Sequence, residues 1–101
     1  MSIEDFAARF EAIRASMDPP MGEAAPERQL HSRPDINAIL LLDKLAGTNA
    51  GLSQDAITEA EYGEIYLAVT PKDVCETATD EDIKDLIRGC VRIGYDVFYL
   101  C

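Results

Sequence analysis

Two helix-start signatures follow one another late in this chain, and they constrain its fold more than any other feature. Thr70-Pro71-Lys72-Asp73 supplies a capping threonine, a proline in the first helical position and an acid in the third. Thr79-Asp80-Glu81-Asp82 repeats the signal. The first predicts about two helical turns, ending at Thr77 or Ala78. The second predicts a helix to Arg88, with Ile83, Leu86 and Ile87 inward and Gly89 as its stop. Glu64 to Val69 (EIYLAV), just before them, is rich in β-branched and aromatic residues and reads as a strand. Residues 90–101, just after, read as a hairpin turning at Gly94-Tyr95-Asp96. The strand is expected to pair with that hairpin in one sheet.

The first half of the chain is helical in pattern. Ile3, Phe6, Ala7, Phe10, Ile13 and Met17 form one stripe of a helix over residues 3–17, capped by Ser2 and stopped by Asp18-Pro19-Pro20. Residues 18–34 hold four of the five prolines and no periodicity, so they read as a linker or irregular loop. Such a spacer is long for a compact domain. The first helix is therefore expected to pack loosely, or to serve as an arm for dimerisation or partner binding. A second helix is predicted over 33–46, with Ser32 as N-cap, Asp35 as capping acid and Gly47 as stop. Its core side is read as Ile36, Ile39, Leu40, Leu42 and Leu45, with Leu41 on the flank. A turn-rich loop at 48–53 and a short helix at 54–62 complete the order. That order implies an α+β fold: a small, largely antiparallel three-stranded sheet with helices packed on one face. The chain divides into a helix at 1–17, a Pro-rich loop or linker at 18–34 and a compact body at 35–101.

Several functions are poorly served by this sequence. No apolar run exceeds five residues, the length of Ala38 to Leu42, far short of the roughly 18 residues of a membrane span. Glu4, Asp5, Arg9, Glu11 and Arg14 break any export signal, so a cytoplasmic location is expected. Cys75, Cys90 and Cys101 have no CxxC spacing and read as reduced, small apolar residues. With His31 they are too dispersed for a compact zinc knuckle, and His31 itself lies in the Pro-rich stretch. Gly47-Thr-Asn-Ala-Gly51 lacks the Lys-Ser/Thr of a phosphate loop. No HExxH or GxSxG occurs. Asp80, Glu81, Asp82 and Asp85 lack the spacing of a calcium loop, and acids at a helix start already meet the positive end of its dipole. No catalytic residue, cofactor or metal is expected.

Charge is the positive signal. Between Asp55 and Asp85 stand ten carboxylates, Asp55, Glu59, Glu61, Glu64, Asp73, Glu76, Asp80, Glu81, Asp82 and Asp85, against Lys72 and Lys84, so this stretch carries −8 of the chain's −10. Such a field repels nucleic acid and attracts cationic surfaces. A solvated, solubilising surface is the plain explanation of such a run. The sharper one is a partner-binding face made of these ten acids, copying the charge of phosphates. Tyr66, Phe98 and Tyr99 are expected to pack in the sheet rather than to stack on bases.

The segments Ile36–Leu45 (INAILLLDKL), Glu59–Val74 (EAEYGEIYLAVTPKDV) and Ala78–Arg92 (ATDEDIKDLIRGCVR) resemble small acidic proteins encoded in bacteriophages and prophages. The resemblance covers residues 35–101 and brings no catalytic motif. It implies a bacterial cytosol and a phage accessory gene, a setting in which small acidic proteins often inhibit host defence, as anti-CRISPR proteins do. The expectation is a non-enzymatic protein that blocks a CRISPR effector or other nucleic-acid-binding host protein through an acidic face, with no direct contact to nucleic acid or membrane. The alternative is a phage structural, assembly or regulatory protein acting as a homodimer through the apolar faces of helices 3–17 and 33–46.

Overall fold

The computed structural model describes residues 2–17, 26–47, 57–61, 64–94 and 96–100. Four helices and four strands occur among them: α1 (Ile3–Ser16), α2 (Pro34–Ala46), β1 (Ile57–Glu61), β2 (Glu64–Leu67), α3 (Pro71–Val74), α4 (Asp80–Arg88), β3 (Val91–Ile93) and β4 (Phe98–Leu100). A single 3₁₀ turn spans Pro26–Arg28. The strands form one antiparallel sheet in the order β1-β2-β4-β3. The class is α+β, as the element order implies.

Alternation divides the sheet into two unlike faces. Ile65, Leu67, Val91, Ile93, Phe98 and Leu100 all pack into the core with the helices. Tyr66, Tyr99 and Arg92 occupy the intervening positions and are partly exposed. Strand β2 pairs with the hairpin as expected, Ile65 opposite Leu100 and Tyr66 opposite Tyr99.

The fourth strand is the main departure in architecture. Residues 57–61 (ITEAE) lie where a short helix at 54–62 is predicted, yet they pair antiparallel with β2. Glu and Ala favour helix locally, but the exposed edge of β2 supplies ladder hydrogen bonds, and strand preference depends strongly on such context. The register slips between Ile57 and Glu59, the mark of a bulge.

Helix α1 is no loose arm. Ser2 Oγ accepts from the Asp5 amide at 3.1 Å and fixes the start of the helix. Phe6 and Phe10 are then fully buried. Their rings meet Phe98 of the last strand at centroid distances of 6.2 and 6.1 Å, the first edge to face. The stripe predicted at 3–17 is thus satisfied within this chain.

Helix α2 is rotated from the expected face. It begins at Pro34 with Arg33, not Ser32, in the cap position. Ala38, Leu41, Leu42 and Ala46 are buried, whereas Leu40 keeps 40% of its surface exposed. The cause is a close approach to α4. A Cβ on Gly89 would collide with the Pro34 carbonyl oxygen and the Ala38 methyl, so Ala38 must face α4. With Ala38 inward, the i+3 and i+4 positions place Leu41 and Leu42 inward and leave Leu40 outside. Asn37 is buried on the same side, and its Oδ1 accepts from the Leu30 and His31 amides at 2.6 and 3.2 Å. This anchors part of the predicted Pro-rich spacer onto α2.

Both predicted capping signals form. Asp73 Oδ2 accepts from the Thr70 amide at 2.9 Å, and Asp82 Oδ2 from the Thr79 amide at 3.0 Å. Ile83, Leu86 and Ile87 are buried as expected, and α4 ends at Gly89. The first of the two helices is shorter than predicted, with turns rather than helix from Cys75 to Thr77.

Candidate protein-binding surface

The acidic run divides into parts with different duties. On the helical side most of its carboxylates are engaged inside the protein. Asp85 is only 2% exposed, which overturns its expected place on an open face. Burying it is tolerable because two arginines hold it. Arg28 Nε donates to Asp85 Oδ2 and Arg88 Nη1 to Asp85 Oδ1, both at 2.7 Å. Arg28 Nη2 also reaches Asp82 Oδ1 at 2.8 Å. The Arg28 guanidinium is stabilised in its charged form, chiefly by the hydrogen bond to Asp85. This fork ties the 3₁₀ turn at 26–28 to α4.

The neighbouring acids are partnered too. Asp82 and Asp73 serve as capping acids. Asp80 pairs with Arg9 of α1, and that hydrogen bond holds its carboxyl below the usual aspartate range. Glu81 meets Lys84 at 3.2 Å, one turn along α4. Asp80 and Glu81 remain about half exposed, and Glu76 is exposed. The predicted helical face therefore survives as three exposed acids, not six.

The rest of the run meets the sheet. Glu64 lies on β2, and its Oε2 accepts from the Tyr66 hydroxyl at 3.2 Å. Tyr66 and Tyr99 lie side by side, 6.0 Å between centroids and tilted 48°. In the ladder, Glu59 pairs with Tyr66 and Glu61 with Glu64. Arg92 closes the row opposite Tyr99. By register, Glu59 and Glu61 of β1 stand opposite Tyr66 and Glu64, the residues of β2 that alternate with its core positions. The sequence alone does not show this pairing, because ITEAE carries a helical preference and becomes strand only against β2. Asp55 lies outside the described residues.

The other chemistry-bearing residues do not converge. Among the described residues, no group of three or more His, Cys, Asp or Glu side chains is placed to hold a metal ion. Cys75 is buried, and its thiol donates to the Lys72 carbonyl at 3.7 Å. Cys90 lies apart at the end of α4, and Cys101 is outside the described residues. His31 accepts from the Arg33 amide through Nδ1 at 3.0 Å within its own loop. No helix among the described residues is long and apolar enough to cross a membrane.

An apolar concavity lies among the described residues. A cleft of about 190 Å³ opens between α2 and the chain leaving β2, where Ile39, Leu40 and Leu42 face Leu67, Ala68 and Val69. Among the described lining residues, Asp43 is the charged one. No family model, curated protein or solved structure matches this chain.

Proposed function

We propose that this chain is a non-enzymatic binding protein that docks on a cationic, nucleic-acid-binding surface of a bacterial host protein and blocks it. An anti-defence inhibitor of phage origin is the specific form of that reading. The supporting observation is the sheet register, in which Glu59 stands opposite Tyr66 and Glu61 opposite Glu64, beside the Tyr66 and Tyr99 ring pair. Carboxylates attract lysine and arginine, and tyrosine rings offer flat, rigid area on which guanidinium groups stack. The docking surface is therefore placed on the open sheet face, not on the helix starts. The alternative of assembly through helices 3–17 and 33–46 draws less support, since Phe6 and Phe10 are buried against Phe98 of their own chain.

The test uses the whole chain as bait in a bacterial lysate. A partner of the proposed kind is retained at low salt, released at high salt and displaced by double-stranded DNA. The triple variant Glu59→Lys, Glu61→Lys, Glu64→Lys should lose it while keeping the melting temperature. Full retention by a folded triple variant would exclude the sheet face as the docking site.

A further inference from the structure

The apolar cleft beside α2 is not accounted for by charge-driven docking. Helix α2 carries five consecutive apolar residues, Ala38 to Leu42, more than one helix face can bury. The close approach at Gly89 decides which are buried, and Leu40 is left 40% exposed at the cleft. Leu42, Leu67 and Val69 are its more buried walls, while Ile39 and Ala68 are partly exposed. Its volume of about 190 Å³ suits one large apolar side chain. Asp43 stands one turn beyond Leu40, on the same side of α2, and is exposed.

We propose that this cleft receives an apolar side chain from a cationic amphipathic segment of a partner protein, with a lysine or arginine of that segment meeting Asp43. The inference rests on the reading of the chain as a binder of basic proteins and adds a second, apolar anchor to it. Charge complementarity selects the occupant. A second copy of a chain carrying −10 would bring like charge to the rim, whereas a basic segment brings opposite charge. A buried apolar anchor beside a charged rim is also how binding energy is commonly concentrated at interfaces.

The experiment titrates the full chain with three synthetic peptides: an amphipathic Leu/Lys peptide, a Ser/Lys peptide of equal charge and a Leu/Glu peptide. Methyl resonances of Ile39, Leu40 and Val69 report on the cleft. The Leu/Lys peptide should shift them and bind at least tenfold more tightly than either other peptide. Leu40→Ser and Ala68→Phe, one removing the wall and one filling the space, should each weaken it about tenfold. Asp43→Lys should weaken it as well. Should Ser/Lys bind as well as Leu/Lys, the cleft is not an anchor, while docking on the sheet face stands. Equal binding of Leu/Glu would overturn the cationic occupant, and absence of binding by all three would overturn the proposal outright. A dimer in sedimentation that Leu40→Ser dissolves would assign the cleft to a second copy instead. Because Leu40 is exposed, Leu40→Ser remains interpretable if Ala68→Phe disturbs the fold.

Discussion

Asp85 and Asp80 stand on the same helix, five residues apart, with opposite consequences. Asp85 is buried between Arg28 and Arg88, so changing it removes the carboxylate the two guanidinium groups share, with Arg28 keeping only its contact to Asp82. Asp85→Asn keeps the shape but turns an amide NH₂ toward one of the arginines. It should lower stability by about 1.5–3 kcal/mol in urea denaturation, the range for hydrogen bonds to charged groups. Asp80 and Arg9 are both about half exposed, so their pair contributes less. Its pH dependence has a definite sign. Because folding lowers the Asp80 pKa, the contribution is present above the unfolded value of about 3.9 and fades as pH falls through the lower folded value. A urea series from neutral pH downward should show the gap between wild type and Asp80→Asn closing only below about pH 4. Gly89 and Cys90 form a second contrast. Gly89 has an ordinary negative φ and is required by the closeness of α2, whereas Cys90 takes φ 70°, a region that favours glycine. Gly89→Ala should therefore destabilise, and Cys90→Gly should stabilise by about 0.5–1 kcal/mol in the same assay.

Among the elements, α1 closes the core, and its removal tests the fold most directly. Phe6, Phe10 and Phe98 form a three-ring cluster that joins the first helix to the last strand. Phe10→Ala should cost about 3–5 kcal/mol. That is a large share of the ~5–15 kcal/mol total of a domain this size. Deleting residues 1–17 removes two of the three rings and should leave no cooperative thermal transition. Local chemistry made the helices legible: Thr79 with Asp82, Thr70 with Asp73, and the stripe of Phe6 and Phe10 each announce an element within one or two turns. It did not announce β1, because ITEAE becomes strand only against the edge of β2. Nor did it show the α2 face, which depends on Gly89, far away in sequence. The candidate site was legible in the same uneven way. The charge of the run is visible in composition. Which acids are engaged depends on Arg28, whose pairing with Asp85 bridges 57 residues out of a stretch that reads as a linker.

For the whole molecule, the open question is whether net charge or its arrangement selects the partner, and two matched variants separate them. Reversing Glu59, Glu61 and Glu64 to lysine changes the chain from −10 to −4, and so does reversing Glu76, Asp80 and Glu81. Both sets avoid the Asp82 and Asp85 carboxylates that hold Arg28. Long-range steering depends on total charge and should fall in both variants, appearing as slower association at low salt. Retention of the bound partner depends on the docking face itself. The sheet-face triple should therefore dissociate at least tenfold faster, whereas the helix-start triple should change dissociation by no more than about threefold, as for exposed rim charges. The measurement is surface plasmon resonance against the captured partner, at two ionic strengths. Equal dissociation rates in the two variants would show that the partner responds to charge alone and that the row of Glu59, Tyr66, Tyr99 and Arg92 has no part in recognition.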